Sequence, residues 1–303
     1  MDRLQGLRLF VRVVETGSFS KASASLGATQ PTTTKHVAAL EQRVGARLLH
    51  RSTRGVTPTE IGLLYYERCL LILHELDDAD SLASLQQSSV RGRLRISTSV
   101  GFGRRVLAPL IIGFMREHPD LLVDLSFSDR FINLVEQGVD VAIRMGQLAD
   151  SSLGAQHLGT NPWVLVASPD YLARRGVPAH PDKLGEHAAL IYSTVQGDER
   201  WHFVGPAGES LQVPVHGPLR SNNLSALLAA TRAGMGLAVL PRYVAHGSIE
   251  DKKVSAVLVD WVLPSQEIHA VFPSPRLVPT RVTKLIGWLE GCFDGPWWER
   301  RSS

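Results

Sequence analysis

Residues 18 to 62 read Ser18-Phe-Ser-Lys-Ala-Ser-Ala-Ser-Leu-Gly-Ala-Thr29-Gln-Pro-Thr-Thr-Thr-Lys35-His-Val-Ala-Ala-Leu-Glu-Gln-Arg-Val-Gly45, then Ala46-Arg-Leu-Leu-His-Arg51-Ser-Thr-Arg54-Gly-Val-Thr-Pro-Thr-Glu-Ile-Gly62. Two short helical patterns meet at Leu26-Gly27-Ala28, where a glycine lets the chain turn between elements that cross at a large angle. The second carries its own start signal. Thr29 can cap free backbone N–H groups, and Pro31 suits a first turn that needs no amide donor. Thr33, Val37, Leu40 and Val44 then recur at helical spacing and predict a core stripe. Gln30, Thr34, Lys35 and His36 lie off that stripe. One face is thus left to a core and the other to a nucleic-acid groove.

The flanks agree. Leu7, Phe10, Val11 and Val14 form the apolar face of a first helix ended by Gly17, and Phe19, Ala22 and Leu26 continue the stripe in the next. Leu48-Leu49 leads into Arg51, Arg54 and Gly55, the pattern of a small hairpin with basic residues at its tip. Residues 1 to 62 hold nine Lys/Arg against four Asp/Glu, a net of +5, whereas the whole chain nets +3 and the remainder therefore −2. Positive charge is concentrated where phosphates would lie.

These residues resemble the winged helix-turn-helix of the LysR-type transcriptional regulators. The matching positions are Gly17-Ser18-Phe19, Thr29-Gln30-Pro31-Thr32-Thr33-Thr34-Lys35, Leu40-Glu41, Val44-Gly45, Leu48-Leu49-His50-Arg51 and Thr59-Glu60-Ile61-Gly62. The resemblance implies DNA contacts by Gln30, Pro31, Thr32, Thr34, Lys35 and His36 in the groove, with Gln30 as the reader of a base edge, and by Arg51 and Arg54 from the wing. The family's usual serine and arginine are Thr34 and Lys35 here. A lysine is a point charge without the guanidinium fork, which favours a phosphate over a guanine edge. For Arg51 an ion pair with Glu41 or Glu60 stands as the structural alternative.

Pro58 to Gln87 reads as one long helix, capped by Thr57 or Thr59, with Pro58 in its first turn. Ile61, Tyr65, Leu70, Leu73, Leu76, Ala79, Leu82 and Leu85 leave a broad apolar stripe with nothing obvious in the same chain to cover it. The resemblance implies an antiparallel linker-helix dimer, with dimers paired into tetramers. Cys69, among Leu70, Leu71 and Ile72, reads as a buried small residue, and two cysteines in all are too few for a disulfide framework or a metal cluster. No apolar run is long enough to span a membrane, and Met1-Asp-Arg-Leu-Gln lacks a signal-peptide core, so a cytoplasmic protein is expected.

Past Ser88-Ser89-Val90-Arg91-Gly92 the rhythm changes to strands alternating with helices. Leu94 to Ser99, Leu121 to Phe127 and Val139 to Arg144 predict strands; Val106 to Glu117 and Phe131 to Gln137 predict helices. A second set follows from Trp163 to Leu240, and Glu267 to Phe272 with Thr280 to Phe293 closes the chain. The fold class expected is α/β with an all-α winged helix-turn-helix N-terminal domain, a long linker helix and, as the resemblance implies, a two-lobed C-terminal domain of the type II periplasmic-binding-protein kind. The domains expected are 1–58, 59–88 and 92–303, with lobe I about 92–161 and 269–303, lobe II about 162–268, and crossovers near Asn161-Pro162 and Gln266 to His269.

Ligands of open α/β folds bind beyond the carboxyl ends of the strands and, in two-lobed forms, between the lobes. That rule selects Ser97, Thr98, Ser99, Gly101 and Phe102 after the first strand, Ser128 and Asp129 after the second, and Arg144 and Met145 after the third. Thr194, Asn222 and Asn223 come from the other lobe. Hydroxyls and free amides at a helix start suit a small anion; ordinary capping is the competing role for the Ser, Thr, Asn and Asp among them.

Enzymatic motifs are missing: Gly101-Phe-Gly103 lacks the third glycine of a dinucleotide fingerprint, no Gly-x-Ser-x-Gly elbow or Walker loop occurs, and the eleven histidines have no zinc spacing. The expectation is a non-enzymatic regulator without cofactor or metal. Its partners would be double-stranded DNA bearing an interrupted inverted repeat, a small effector of anionic character and further copies of itself, with RNA polymerase left open and no membrane. A solute-binding or enzymatic α/β protein with an accessory helical module is the competing class.

Overall fold

The computed structural model describes residues 2–52, 55–83, 90–129, 134, 137–148, 153–193, 199–274 and 278–300, with the backbone alone at 74, 75 and 77–83. It divides into two compact units, Met1–Gly92 with Ile132–Asp140, and Arg93–Phe131 with Val141–Ser303.

The first unit runs α1 (Arg3–Thr16), α2 (Phe19–Ser25), α3 (Gln30–Val44), β1 (Leu49–Ser52), β2 (Gly55–Pro58) and α4 (Glu60–Ala83). Its helix ends follow from local chemistry. Asp2 accepts from the Leu4 amide and Ser18 from the Lys21 amide, while Gly17 and Gly45 close α1 and α3 at φ 61° and 72°, a left-handed conformation that a side chain disfavours. Leu7, Phe10, Val13, Phe19, Ala22, Val37, Leu40, Leu48 and Leu49 form one core. Two expected members of the stripe lie outside it: Leu26 and Val44 are 45% and 37% exposed. Leu26 is the cap of α2 and Val44 the last residue of α3, so both have run past the helix crossing.

The long helix begins at Glu60, and the expected end at Gln87 lies outside the described residues. Thr59 is its cap, accepting from the Gly62 amide at 2.9 Å. Twenty-four residues span about 36 Å. The sequence left its apolar stripe wholly uncovered, and that is corrected in part. Tyr65, Cys69, Leu70 and Leu73 pack on the core of the first unit, while Ile61, Leu63, Leu64 and Ile72 remain exposed.

The second unit continues β3 (Gly92–Thr98), α5 (Val100–Phe102), a π turn (Gly103–Leu107), α6 (Ala108–Glu117), β4 (Leu121–Phe127), β5 (Val141–Met145) and β6 (Gly154–Asn161). Next come β7 (Trp163–Ala167), α7 (Pro169–Arg175), a 3-10 turn (Pro181–Glu186), β8 (Ala189–Tyr192), β9 (Arg200–Val204) and β10 (Ser210–Pro214). It ends with β11 (Leu219–Ser221), α8 (Leu224–Arg232), β12 (Leu237–Pro241), α9 (Arg242–Glu250), β13 (Ser255–Ala256), β14 (Gln266–Phe272), α10 (Thr280–Cys292) and a 3-10 turn (Trp297–Glu299). The helix expected over Phe131 to Gln137 falls largely outside the described residues.

Two five-stranded sheets result, ordered β4-β3-β5-β14-β6 and β11-β8-β12-β7-β13. The chain leaves the first sheet after Asn161 and returns at Gln266. In the second sheet, Trp163, Leu165 and Ala167 of β7 enter one apolar cluster, and Val164 and Val166 enter the other. Burial on both faces explains why β7 is a continuous apolar run without alternation. Gly236 precedes β12 because a Cβ there would stand 2.3 Å from the Ala188 carbonyl oxygen.

Candidate functional site

Two sets of residues carry the chemistry, one in each unit. In the first, α3 buries Thr33, Val37 and Leu40 and leaves Gln30, Pro31, Thr32 and Lys35 exposed, with Thr34 and His36 half-buried. The buried Thr33 hydroxyl meets that of Ser23 at 2.7 Å, and Ser23 donates to the Phe19 carbonyl. That pair ties α2 to α3 and fixes which face is offered outward. The Thr32 hydroxyl bonds to that of the cap Thr29 at 2.8 Å.

The wing is fastened to α3 by Glu41. Its Oε1 accepts from the Leu48 and Leu49 amides at 2.8 and 3.1 Å, charge-assisted bonds that hold the start of the hairpin. Arg51 resolves toward structure. Its guanidinium lies 4.5 Å above the Phe19 ring and 4.0 Å from Glu41, not Glu60. With 41% of its side chain exposed it can still meet a phosphate. Arg54 lies outside the described residues.

In the second unit the loop after β3 faces α8 and α9 of the other lobe. A Cβ on Gly101 would stand 3.8 Å from the Tyr243 hydroxyl and 3.9 Å from Leu224. Arg105 reaches toward the Val244 carbonyl and the Ser225 hydroxyl at 3.5 and 3.4 Å. Burial, first, and then the neighbouring Tyr192 push the Tyr243 phenol well above its usual range, with Arg105 pulling the other way.

Several expected effector contacts are placed differently. Phe102 is wholly buried, its ring 5.5 to 6.1 Å from those of Tyr243, Phe293 and Trp297, so it belongs to the joint between lobes. The Thr98 hydroxyl is buried and donates to the Ile143 carbonyl. Asp129 accepts from the Val100 amide at 2.9 Å, so a carboxylate of the protein already occupies the helix start where an anion was expected. Asn223 caps α8 through the Ser225 and Ala226 amides. The Met145 sulfur accepts from Asn161 at the crossover.

Ser99 makes no capping bond, Gly101 and Ser128 are half-exposed, Asn222 is exposed, and Thr194 lies outside the described residues. Arg144 is half-buried, and burial lowers the pKa of its guanidinium. Tyr192 at the end of β8, Arg105 and Tyr243 were missed, since a tyrosine or arginine within a strand or helix carries no local signal of facing a cleft.

Among the described residues no group of three or more His, Cys, Asp or Glu is placed to hold a metal, and no helix is long and apolar enough to cross a membrane.

The bacterial regulatory helix-turn-helix model of the lysR family matches residues 4–63, and the LysR substrate binding domain model matches residues 87–292. The chain belongs to the LysR family of bacterial transcriptional regulators. As a LysR-type regulator it binds DNA and small-molecule effectors, oligomerises, and is not an enzyme.

An uncharacterised HTH-type transcriptional regulator of Haemophilus influenzae is 36% identical over 93% of this chain and 98% of its own. An HTH-type transcriptional repressor of Pseudomonas aeruginosa is 32% identical over 97% and 93%. The full-length structure of the Vibrio cholerae virulence activator AphB, a member of the LTTR protein family, aligns with TM-score 0.62 and 29% identity over 97% of this chain and all of that one.

Proposed function

We propose that this LysR-type regulator reads its operator through the outward face of α3. Gln30 meets a base edge, Thr34 and Lys35 meet base edges or phosphates, and the wing arginines Arg51 and Arg54 take backbone phosphates. The observation that carries this reading is the exposed polar face of Gln30, Pro31, Thr32 and Lys35 on a head whose net charge is +5. A second copy covers Ile61, Leu64 and Ile72 of α4, placing two heads on successive major-groove segments about 34 Å apart on an interrupted inverted repeat. Pairs of dimers form tetramers that bend the DNA.

An effector of anionic character enters between the lobes, near Ser99, Gly101, Ser128 and Arg144. It acts by binding one assembly geometry more tightly than another, because equal affinity for both shifts nothing. Where the operator adjoins a promoter, RNA polymerase is the contacted partner. Both the site of action and the substrate DNA place the protein in the cytoplasm.

Band-shift titration against the intergenic DNA upstream of its own gene, across a salt series, tests the root of this reading. Binding at least tenfold tighter than to random duplex at every salt is the expected result. Equal affinity for both duplexes removes it.

A further inference from the structure

The lobe I sheet gathers unpartnered polar atoms on one face. Ser97 pairs with Ala142 across β3 and β5, and Arg144 pairs with His269 across β5 and β14. Alternate residues of a strand share a face, so Ser97, Arg144 and His269 project to the same side of three adjacent strands. His157 of β6 pairs with His269 and extends the row, its ring 5.6 Å from that of His269.

Ser97 Oγ, Arg144 Nη2 and His269 Nδ1 are each buried without a hydrogen-bond partner among the described residues, and Ser97 is wholly buried. Such an atom is costly to bury, and more so when the group is charged. Three on one face of adjoining strands point to a group supplied from outside the chain.

The chemistry narrows that group. A guanidinium only donates, and an imidazole and a hydroxyl can donate beside it, so the natural complement is an acceptor with several oxygens and a negative charge. The carboxylate two residues before His269 on the same face, Glu267, is already bonded to His157 Nε2. Arg144 makes no salt bridge among the described residues, and burial works against its charge.

We propose that Arg144 and His269, with Ser97 one residue pair further back along the strands, bind the carboxylate of a small organic acid, which makes the effector class a carboxylate and adds His269 to the effector site. This rests on the effector reading above and names the chemistry of that site. The Glu267–His157 pair serves it by keeping the protein's own carboxylate off Arg144.

The test uses the full-length chain with histidine rings labelled with carbon-13, and acetate as the minimal carboxylate. Acetamide and chloride are the neutral and simple-anion controls. Acetate is expected to move the His269 ring resonance along a saturating curve and to raise the melting temperature, with acetamide and chloride doing neither. Arg144→Gln should weaken both acetate responses about tenfold, and His269→Gln, which removes the reporting ring, should weaken the melting-temperature response to the same degree. Arg144→Lys, which keeps the charge without the fork, should fall between, and it stands in should Arg144→Gln fail to fold.

An absent acetate response in the wild-type chain, an equal response to acetamide, or a response untouched by all three substitutions overturns the proposal. A thermal-shift screen of metabolites separates this failure from that of the sensor reading. Neutral ligands whose binding Arg144→Gln leaves unchanged defeat the carboxylate class and keep the sensor. No ligand of any class, together with no acetate response, defeats both.

Discussion

Gly62 lies against the carbonyl oxygen of Leu48, so close that a Cβ on the glycine would stand 1.8 Å from it. That oxygen cannot move aside freely, because it accepts from the Thr59 amide at 2.9 Å, and Thr59 in turn donates its hydroxyl to the Arg47 carbonyl. The first turn of the linker helix is thereby seated on the entry to the wing. Gly62→Ala should destabilise the first unit by about 2 kcal/mol or more through forced separation of the two backbones. Urea unfolding followed by circular dichroism checks it, and an unchanged midpoint would contradict the close approach.

Glu41 holds the same region through a different chemistry. Replacing it with glutamine keeps the shape but turns two charge-assisted bonds, to the Leu48 and Leu49 amides, into neutral ones. Glu41→Gln should cost about 1 kcal/mol and Glu41→Ala about 2–3, because alanine leaves two amides unpaired. Arg51 would lose its ion-pair partner in both. Denaturant midpoints for the pair of variants give the comparison; a Glu41→Gln midpoint equal to that of the native chain would mean the charge plays no part.

Cys69 links the core to pH. Burial, first, pushes its thiol from 9.0 up to about 11, with the Tyr65 hydrogen bond and Arg3 opposing the shift in part. The folded state keeps a proton that the unfolded chain releases, so the contribution is fully present below pH 9. It declines as pH rises from 9 towards 11, by up to about 2 kcal/mol. Cys69→Ala should flatten the fall in stability between pH 8 and pH 10.5, apart from the cavity it creates. The native thiol should react with iodoacetamide only as fast as the unit opens; rapid alkylation at pH 7.5 would show the residue to be accessible.

The recognition roles separate in binding experiments. Gln30→Ala should flatten the preference among operator base pairs, at a loss of about 1–3 kcal/mol on the best sequence. Arg54→Ala should weaken all duplexes alike and reduce the salt slope by about one. Equal loss of sequence discrimination in both variants would contradict the assignment.

Trp297 crosses between the lobes. Its Nε1 donates to the Thr160 carbonyl at 2.8 Å in one lobe, while its ring stacks 6.1 Å from Tyr243 in the other and meets Phe102 and Phe293 edge-on. Trp297→Ala should lower the melting temperature of the second unit by several degrees and broaden the interlobe distance distribution measured between spin labels. An unchanged distribution would reduce this tail to simple packing.

Much of the molecule was legible because its signals are local. Gly17, Thr29, Pro31 and Gly45 act on backbone groups within one turn, and they marked the ends of α1 and α3 in the linear chain. Periodicity likewise exposed α3's inner and outer faces, since Thr33, Val37 and Leu40 need only helical spacing to share a side. What stayed hidden was long-range. Nothing adjacent to Phe102 tells that Phe293 and Trp297 will enclose it, and nothing near Thr98 tells that the Ile143 carbonyl takes its hydroxyl. Asp129 could be placed at a strand end but not at the Val100 amide.

The chain on its own determined that a basic reading head precedes a long helix and an alternating α/β region, because charge, caps and spacing are properties of neighbouring residues. The tertiary structure alone decided which polar side chains lie on one face of a sheet. Ser97, Arg144 and His269 come from strands far apart in sequence, and only sheet register, set by which faces bury apolar surface, brings them to one side.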